Sequence, residues 1–408
     1  MNPLRICMVA TFYPPASFGG DGIQIQRLAR ALVERGHEVT VVHSLEAYRA
    51  LGGTAPAGPA DDDGVRTVPI DAGLGRVSPL LTHLSGRPLA TGARLERALD
   101  GDWDVLHFHN ASLIGGPAVL GMGSARVRLY TAHEQWLLCP THVLWKNKRE
   151  VCEKPTCVRC SISYRRPPQL WRSGSLLERS LRKLDALIVP SRTSATLHDR
   201  FSEMVRIEHI PHFIPAPGEG APHRADRPYF LFAGRLESIK GVGVLLEAFR
   251  RRRSEDLLVV GEGPLRSELE HAARDLPHVR FLGWRSAEEL DALYRGALAA
   301  VVPTLGHESF GLVPIEAFAR GVPAIVRAFG ALAELAEDSG AALTYRTDEQ
   351  LDAALDRLAA DPDLRAELGR CGWQAHRERW TPEVHLDRYL GLIETLAPAP
   401  RETQAALA

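Results

Sequence analysis

The stretch AAVVPTLGHESFGLVPIEAFARGVPAIV, residues 299–326, predicts a strand, a helix and a second strand in succession. Its ends, Ala299–Pro303 and Ala324–Val326, are short apolar runs that suit buried strands, and Pro314–Arg320 suits a helix with proline in its first turn. Parallel strands need a long crossover connection, which is usually a helix. The stretch therefore predicts part of an α/β fold, in which helices cover a mainly parallel sheet.

The same alternation continues through the rest of the chain. The C-terminal half predicts the strands Tyr229–Ala233, Leu257–Val260 and Val279–Leu282, separated by the helices Gly243–Arg253, Pro264–Asp275 and Ala287–Arg295. The N-terminal half predicts the strands Ile6–Ala10, Glu38–His43, Val105–Phe108, Val127–Ala132 and Ala186–Pro190, with a helix at Ile23–Arg35. Each half therefore predicts a Rossmann-like sheet of its own.

A segment rich in proline separates the two halves. Residues 211–228, PHFIPAPGEGAPHRADRP, contain five prolines and two glycines, too many for a helix or a central strand. We therefore expect an N-terminal domain over residues 1–212, a linker over 213–227 and a C-terminal domain over 228–380. We expect the amphipathic tail, residues 381–408, to pack back against the N-terminal domain.

Composition and charge limit the possible functions. The chain has 408 residues, of which 45% are hydrophobic and 24% charged, which suits two globular domains. Its formal net charge is −1, from 49 basic and 50 acidic residues, so no overall field attracts nucleic acid or an anionic membrane. The first residues lack the long apolar core of a signal peptide, and no apolar run approaches the roughly 20 residues of a membrane span. These features predict a soluble cytoplasmic protein whose membrane contact is at most peripheral.

A glycine-containing loop in the N-terminal half is a candidate for phosphate binding. Phe18–Gly22, FGGDG, follows the first strand and precedes a helix. Gly19 and Gly20 would let the backbone approach a phosphate, because no Cβ stands in the way. A Gly-Gly pair before a helix is, however, more often a simple turn.

A second candidate loop lies inside residues 299–326. The backbone amides of Gly311, Leu312 and Val313, at the start of the predicted helix, would face a diphosphate. Glu316, in the first turn of that helix, either accepts hydrogen bonds from a ribose or complements the helix dipole.

Two basic residues, Arg235 and Lys240, follow the first predicted strand of the C-terminal half. A cation pair beside a diphosphate would neutralise the charge that builds on the leaving group as a sugar–oxygen bond breaks. Arginine can bind two oxygens in a fork, and lysine acts as a point charge. Either residue alone would more often be solvated than functional, and their joint position at a strand end favours a site.

With these residues the chain resembles the retaining glycosyltransferases of family 4, which have the GT-B fold of two Rossmann-like domains facing across a deep cleft. The most specific motifs are FAGRLESIKG, VVGEGPLR, VRFLGW and GHESFGLVPIEAFARGVPAI in the second half, with FYPPASFGGDGIQIQRLARALVERGHEV in the first. The second half also has the Glu-x7-Glu pair that recurs in the family, as Glu308 and Glu316.

The resemblance implies a role for residues of both domains. Arg235 and Lys240 would bind the donor diphosphate, and Glu316 would bind the ribose. Glu308 would lie near the hydroxyls of the donor sugar. Gly20 would approach the phosphate from the N-terminal domain.

The resemblance also places His133, in the sequence YTAHE, beside the reacting sugar. Relatives retain the anomeric configuration by front-face attack in which the departing phosphate helps to deprotonate the acceptor, so we assign no protein nucleophile. The expected donor is a nucleotide diphosphate sugar, with UDP the first choice and GDP the next, and catalysis would need no divalent ion. The acceptor stays open among a small molecule, a glycan and a lipid-linked glycan, and the oligomeric state is unassigned.

Four cysteines lie close together between residues 136 and 166, in a polar insertion of the first domain: Cys139, Cys152, Cys157 and Cys160. Such spacing, with its Cys-x2-Cys end, suits four thiolates around a structural zinc ion. An iron–sulfur cluster and four reduced thiols are the alternatives. The insertion begins soon after His133, so we expect it to border the acceptor pocket.

Two other functions fit the same architecture. A sugar-nucleotide 2-epimerase would bind the same donor, but it would need acidic residues placed for proton transfer at the sugar, and the glutamate pair with the Arg–Lys pair fits transfer better. A catalytically silent protein that binds a partner through the cysteine segment would be free to lose the donor-site residues, which are all present.

Overall fold

The computed structural model of the protein describes residues 2–54 and 62–397. The strands are β1 Arg5–Ala10, β2 Glu38–Ser44, β3 Arg66–Ile70, β4 Trp103–Phe108, β5 Ala125–Thr131, β6 Trp145–Lys146, β7 Glu150–Val151, β8 Ala186–Val189, β9 Arg206–His209, β10 Tyr229–Ala233, β11 Asp256–Val260, β12 Val279–Gly283, β13 Ala300–Val302, β14 Ala324–Arg327 and β15 Ala342–Tyr345. The helices are α1 Gly20–Glu34, α2 Leu45–Ala50, α3 Val77–Ser85, α4 Gly92–Leu99, α5 Cys157–Ser163, α6 Leu176–Leu181, α7 Arg192–His198, α8 Val242–Arg251, α9 Arg266–Ala272, α10 Ala287–Gly296, α11 Leu312–Phe318, α12 Gly330–Ser339, α13 Asp348–Ala360, α14 Pro362–Arg379 and α15 Pro382–Leu396.

Two parallel sheets form the two domains. The N-terminal sheet has seven strands in the order β3-β2-β1-β4-β5-β8-β9, and the C-terminal sheet has six in the order β12-β11-β10-β13-β14-β15. Central strands such as β8 and β11 are buried along their whole length, because helices cover both faces of each sheet. No helix or strand lies between β9 and β10, where the proline-rich segment connects the domains.

The last helix, α15, returns to the N-terminal domain as expected. Its residues Leu386, Tyr389 and Ile393 belong to one buried cluster with Ile6 of β1 and Ile25 of α1. The preceding helix, α14, packs instead on α11 and α12 of the C-terminal domain, so the chain crosses the cleft between the two helices. Residues 398–408 of the predicted tail lie outside the described residues.

Each sheet has one point at which the strand order reverses. In the N-terminal sheet this switch lies between β1 and β4, and in the C-terminal sheet it lies between β10 and β13. The connections that follow the two neighbouring strands lead to opposite faces of the sheet at such a point, which opens a crevice beyond the carboxyl ends of the strands where ligands bind. The predicted phosphate loops and the Arg–Lys pair follow these strands.

Within residues 2–54 and 62–397, no helix combines the length and the apolar composition that a bilayer crossing needs.

Candidate active site

The centre of the C-terminal side of the cleft is an ion pair between Lys240 and Glu308. Lys240 ends a short turn after β10, and its Nζ donates a hydrogen bond to Oε1 of Glu308 over 2.5 Å. Thr304 donates its hydroxyl to the same oxygen over 2.9 Å. Both charged side chains are half-buried. The structure therefore brings together two of the predicted site residues, which come from the two strands that flank the switch point.

Close backbone packing explains why these two loops meet. The amide of Leu305 donates to the carbonyl of Ile239 over 2.7 Å. Gly241 has φ of +71°, and a Cβ at this position would lie 2.2 Å from the carbonyl oxygen of Pro303. Only glycine fits this turn, because another residue would be strained and would also push the loops apart. The FAGRLESIKG motif thus ends with a residue that the neighbouring loop requires.

Arg235 lies apart from this ion pair. Its exposed guanidinium binds Glu237, with Nε and Nη2 at 2.9 and 2.8 Å from Oε1 of that carboxylate. The contacts among the described residues therefore connect Arg235 to its own loop and not to Lys240 or Glu308. A diphosphate in the crevice would have to compete with Glu237 for the guanidinium.

The two predicted phosphate loops face each other across the cleft. Gly311 has φ of +103° and stands at the start of α11, where a Cβ would lie 2.9 Å from a methyl carbon of Leu332. At Gly20, a Cβ would lie 3.3 Å from a methyl carbon of Leu312. The N-terminal glycine loop therefore packs directly on the first residue of α11.

Glu316 already has two partners. Its Oε2 accepts a hydrogen bond from the hydroxyl of Tyr294 over 3.0 Å, and its Oε1 lies 3.5 Å from Nη2 of Arg27 in the other domain. Binding a ribose would mean exchanging the Arg27 contact for sugar hydroxyls. Sequence reasoning did not identify Arg27, which lies on the helix after the first glycine loop.

His133 is placed opposite these loops by a contact between the domains. The hydroxyl of Ser309, next to Glu308, donates to the backbone carbonyl of His133 over 2.6 Å. The backbone carbonyl of Ser309 in turn accepts from the hydroxyls of Ser191 and Ser194 over 2.7 and 3.0 Å. The loop that carries Glu308 is therefore fixed to the loop that carries His133.

A chain of histidines holds the imidazole of His133. Its Nε2 lies 2.9 Å from Nδ1 of His109, and its Nδ1 lies 3.2 Å from Nε2 of His212. Burial, above all, lowers the pKa of His133 to about 4, an effect that the nearby Asp21 opposes. Burial also lowers the pKa of His109 and His212 well below 6.5. Near neutral pH all three are neutral, so His133 donates its single N–H to one neighbour and accepts from the other.

His109 and His212 thus decide which ring nitrogen of His133 carries the proton. Both nitrogens are occupied in this conformation, so a bond from the imidazole to a donor sugar would replace one of them. Sequence reasoning missed these two histidines. The available signal was weak: His109 directly follows the strand β4, and His212 is the second residue of the proline-rich segment.

Asp21 is a further residue that the sequence did not single out. It is the second residue of α1, and its Oδ2 accepts from Nδ2 of Asn110 over 2.9 Å. Asn110 follows β4, so this contact joins the two loops at the switch point of the N-terminal sheet.

The four cysteines do not form a metal site in this conformation. Among residues 2–54 and 62–397, no group of three or more His, Cys, Asp or Glu side chains is arranged to hold a metal ion. Burial and then the other three thiols raise the pKa of Cys152, so the four thiols lie close enough to interact. The structure nevertheless gives no support to zinc bound by the predicted set, Cys139, Cys152, Cys157 and Cys160.

Two known families match the two halves of the chain. The family described as Glycosyltransferase Family 4 matches residues 18–216, and the family described as Glycosyl transferases group 1 matches residues 219–373. Together the two matches span both domains. The chain belongs to glycosyltransferase family 4.

Several relatives of this glycosyltransferase align with most of its length. It is 28% identical to a glycogen synthase of Mycobacterium tuberculosis, in an alignment that covers 93% of this chain and 91% of the relative. The structure of sucrose-phosphate synthase from Thermosynechococcus elongatus superimposes with a TM-score of 0.74 at 22% identity and covers 96% of this chain and 99% of its own. The structure of HepE from Anabaena in complex with UDP-glucose gives a TM-score of 0.68 at 15% identity and covers 96% and 100%. These structures establish the GT-B fold.

Proposed function

We propose that this glycosyltransferase is a retaining enzyme that uses a UDP-sugar as donor and a hydroxyl group as acceptor. The observation that carries the proposal is the Lys240–Glu308 pair at the switch point of the C-terminal sheet, opposite Gly20 and His133. The pair supplies a cation for the diphosphate and a carboxylate for sugar hydroxyls at adjacent positions. The HepE structure, which is a complex with UDP-glucose, supports uracil as the donor base.

In the proposed reaction, the diphosphate takes the place of Glu308 as the partner of Lys240. The bond between the anomeric carbon and the phosphate oxygen breaks, and the acceptor oxygen bonds to the same carbon from the same face. The acceptor proton passes to the departing phosphate, so the protein supplies no nucleophile. Lys240 and Arg235 neutralise the charge that develops on the leaving diphosphate, and this electrostatic effect requires no divalent ion.

The released Glu308 is then free to accept hydrogen bonds from the donor sugar. His133 presents a neutral ring to the reaction, since burial keeps its pKa far below neutral pH. Closing of the two domains excludes water that would otherwise hydrolyse the donor.

The experiment compares UDP with GDP, each at saturating concentration, by thermal unfolding. A ligand that binds only the folded protein raises the unfolding temperature, so UDP should give the larger shift. Transfer from UDP-sugars is then measured with simple glycosides and with lipid-linked glycans as acceptors, and the product anomer is assigned by NMR. Inversion at the anomeric carbon would refute the retaining mechanism. Formation of an epimer of the UDP-sugar without any acceptor would identify an epimerase instead.

A structural zinc ion at the cysteines also stays a proposal, and its support is the Cys-x2-Cys spacing together with the proximity of the four thiols. Elemental analysis of the purified protein tests it. One zinc per chain would support the proposal, and less than stoichiometric zinc and iron would end it.

A further inference from the structure

Helix α3 of the N-terminal domain buries a mainly polar side and exposes apolar side chains. Its buried side consists of Ser78, Pro79, Thr82 and His83. Its apolar side chains point outward, with Val77, Leu80 and Leu84 exposed to 53, 44 and 43%. Helices on the surface of a globular protein normally bury the apolar side and expose the polar side. Helix α3 has apolar side chains that could be buried in the usual way, so its reversed orientation requires an explanation.

Specific contacts fix the orientation of this helix. The ring of His83 bonds to the carbonyl of Pro167 over 2.8 Å, and its other nitrogen bonds to the side-chain amide of Gln169 over 3.1 Å. Trp171 donates its indole N–H to the carbonyl of His83 over 2.9 Å. Rotating α3 to bury its leucines would break all three bonds and leave a histidine and an amide without partners.

Other apolar side chains extend the same surface. Leu74 precedes α3, Leu89 follows it, and Leu170 lies between the residues that bond to His83, and all three are more than half exposed. We call the six residues together the apolar face, and they are Leu74, Val77, Leu80, Leu84, Leu89 and Leu170. An exposed apolar patch of this kind usually marks an interaction site.

Positive charge surrounds the apolar face. Arg76 and Arg87 flank α3, and Arg165 and Arg166 come just before the segment that packs on it; all four are exposed. Within the part of the chain that the structure describes, none of these guanidinium groups has a carboxylate partner. Residues 146–183 contain 11 lysines and arginines but only three acidic residues, although the whole chain has a net charge of −1. The segment that packs on α3 therefore belongs to a basic part of the chain.

We propose that the apolar face and its arginines dock this glycosyltransferase on a membrane surface that contains anionic lipids. The leucines enter the boundary between headgroups and acyl chains, and the arginines bind lipid phosphates. A second copy of the chain fits this surface poorly, because a two-fold contact would place like charges opposite each other. The inference goes beyond the proposed function and does not depend on the identity of the donor.

The position of the apolar face would bring the membrane close to the entrance of the cleft. Helix α3 follows the carboxyl end of β3, and the carboxyl ends of the parallel strands form the edge of the sheet that borders the cleft. A docked molecule therefore has the entrance of its N-terminal domain next to the lipid headgroups. A lipid-linked acceptor reaches the cleft from the membrane without leaving it.

The test is flotation of the full chain with vesicles of phosphatidylcholine and phosphatidylglycerol in equal parts, and with phosphatidylcholine alone, at physiological ionic strength. The chain should float with the anionic vesicles. Leu80→Ser together with Leu84→Ser should weaken binding at least about tenfold, because each leucine loses its burial in the lipid. Arg87→Ser together with Arg166→Ser should weaken it by about fivefold for each charge removed. Trp284→Ser, which replaces an exposed apolar residue of the C-terminal domain, is the matched control and should bind like the parent.

Absence of binding to the anionic vesicles, or equal binding of the leucine variant and the parent, would overturn the proposal. So would a dimer in analytical ultracentrifugation that the leucine variant lacks, since a second copy would then cover the face. All variants should keep the unfolding temperature of the parent and its shift with UDP. Failure of the UDP shift in the parent would count against the proposed donor and leave the vesicle result valid.

Discussion

The C-terminal wall of the cleft carries charge, as the Lys240–Glu308 pair, whereas the N-terminal wall carries the neutral histidines His109, His133 and His212. The charged pair is half-buried and rests on two loops that their own backbones hold together. The histidines come from two strand ends and the start of the interdomain segment. In the proposed reaction, one wall would therefore provide electrostatic stabilisation and the other would provide oriented hydrogen bonds.

Removing charge from the C-terminal wall should have the largest effect. We expect Lys240→Ala, and separately Glu308→Ala, to reduce kcat/KM for transfer by about a hundredfold to a thousandfold, as loss of one electrostatic contact to a transition state does. Steady-state kinetics measure the loss, and thermal unfolding confirms that the fold is kept. Lys183→Ala, at an exposed lysine of the other domain, is the control. Unchanged turnover of the Lys240 variant would remove the proposed mechanism.

Changing the N-terminal wall should have a smaller effect, since His109 and His212 act through His133. We expect His212→Gln to lower kcat by about tenfold to a hundredfold with little change in donor KM, because a misplaced ring affects the reacting geometry. His37→Gln replaces another buried histidine of this domain, whose ring accepts from the amide of Leu4, and it should retain full activity. An equal loss in both variants would show that the histidine chain has only a structural role.

The neutral histidines also predict how stability depends on pH. Burial is the main cause that lowers the pKa of His43, His133 and His385 from 6.5 to about 4 in the folded protein. The unfolded chain then binds more protons between these values, so stability falls as the pH decreases from 6.5 to 4, by up to about 1.4 kcal/mol per pH unit for each histidine. Urea unfolding at several pH values measures the slope. His385→Gln should make the slope shallower, and an unchanged slope would contradict the assignment.

The ion pair that joins the two walls should contribute little to the free energy of unfolding. Arg27 and Glu316 form an ion pair over 3.5 Å that is partly exposed, and such pairs contribute about 1 kcal/mol or less. We therefore expect Arg27→Ala to lower the free energy of unfolding by less than about 1 kcal/mol. The control is Arg5→Ala, which removes the exposed ion pair of Arg5 with Glu38 and should have a similarly small effect. A loss of several kcal/mol would mean that the domain contact depends on this pair.

Much of the fold could be predicted from the sequence, and three of the strands that the prediction omitted lie at the edges of the two large sheets. The central strands β4, β8 and β10 lie within about two residues of their predicted positions. The prediction omitted β3, β9 and β15, which are edge strands of their sheets. Edge strands are covered less completely, so their sequences, such as RTVPI in β3, lack the continuous apolar run that identifies a central strand.

The side-chain contacts of the site could also be predicted only in part. Lys240 and Glu308 could be predicted to meet, because each follows a strand at the switch point of the sheet. The partners of His133 could not, since His109 is 24 residues away and His212 is 79. The spacing of the cysteines likewise predicted a set of four ligands, but spacing alone does not determine how the backbone of a loop orients the four thiols.

The sequence by itself determined which segments become buried strands, because only a continuous apolar run can be covered on both faces of a sheet, and it determined the glycines that allow loops to approach closely. The tertiary structure alone decided that three histidines meet and that α3 turns its leucines outward. Both outcomes depend on hydrogen bonds between residues far apart in the chain, such as those of His83 with Pro167 and Trp171, and no local pattern records such bonds.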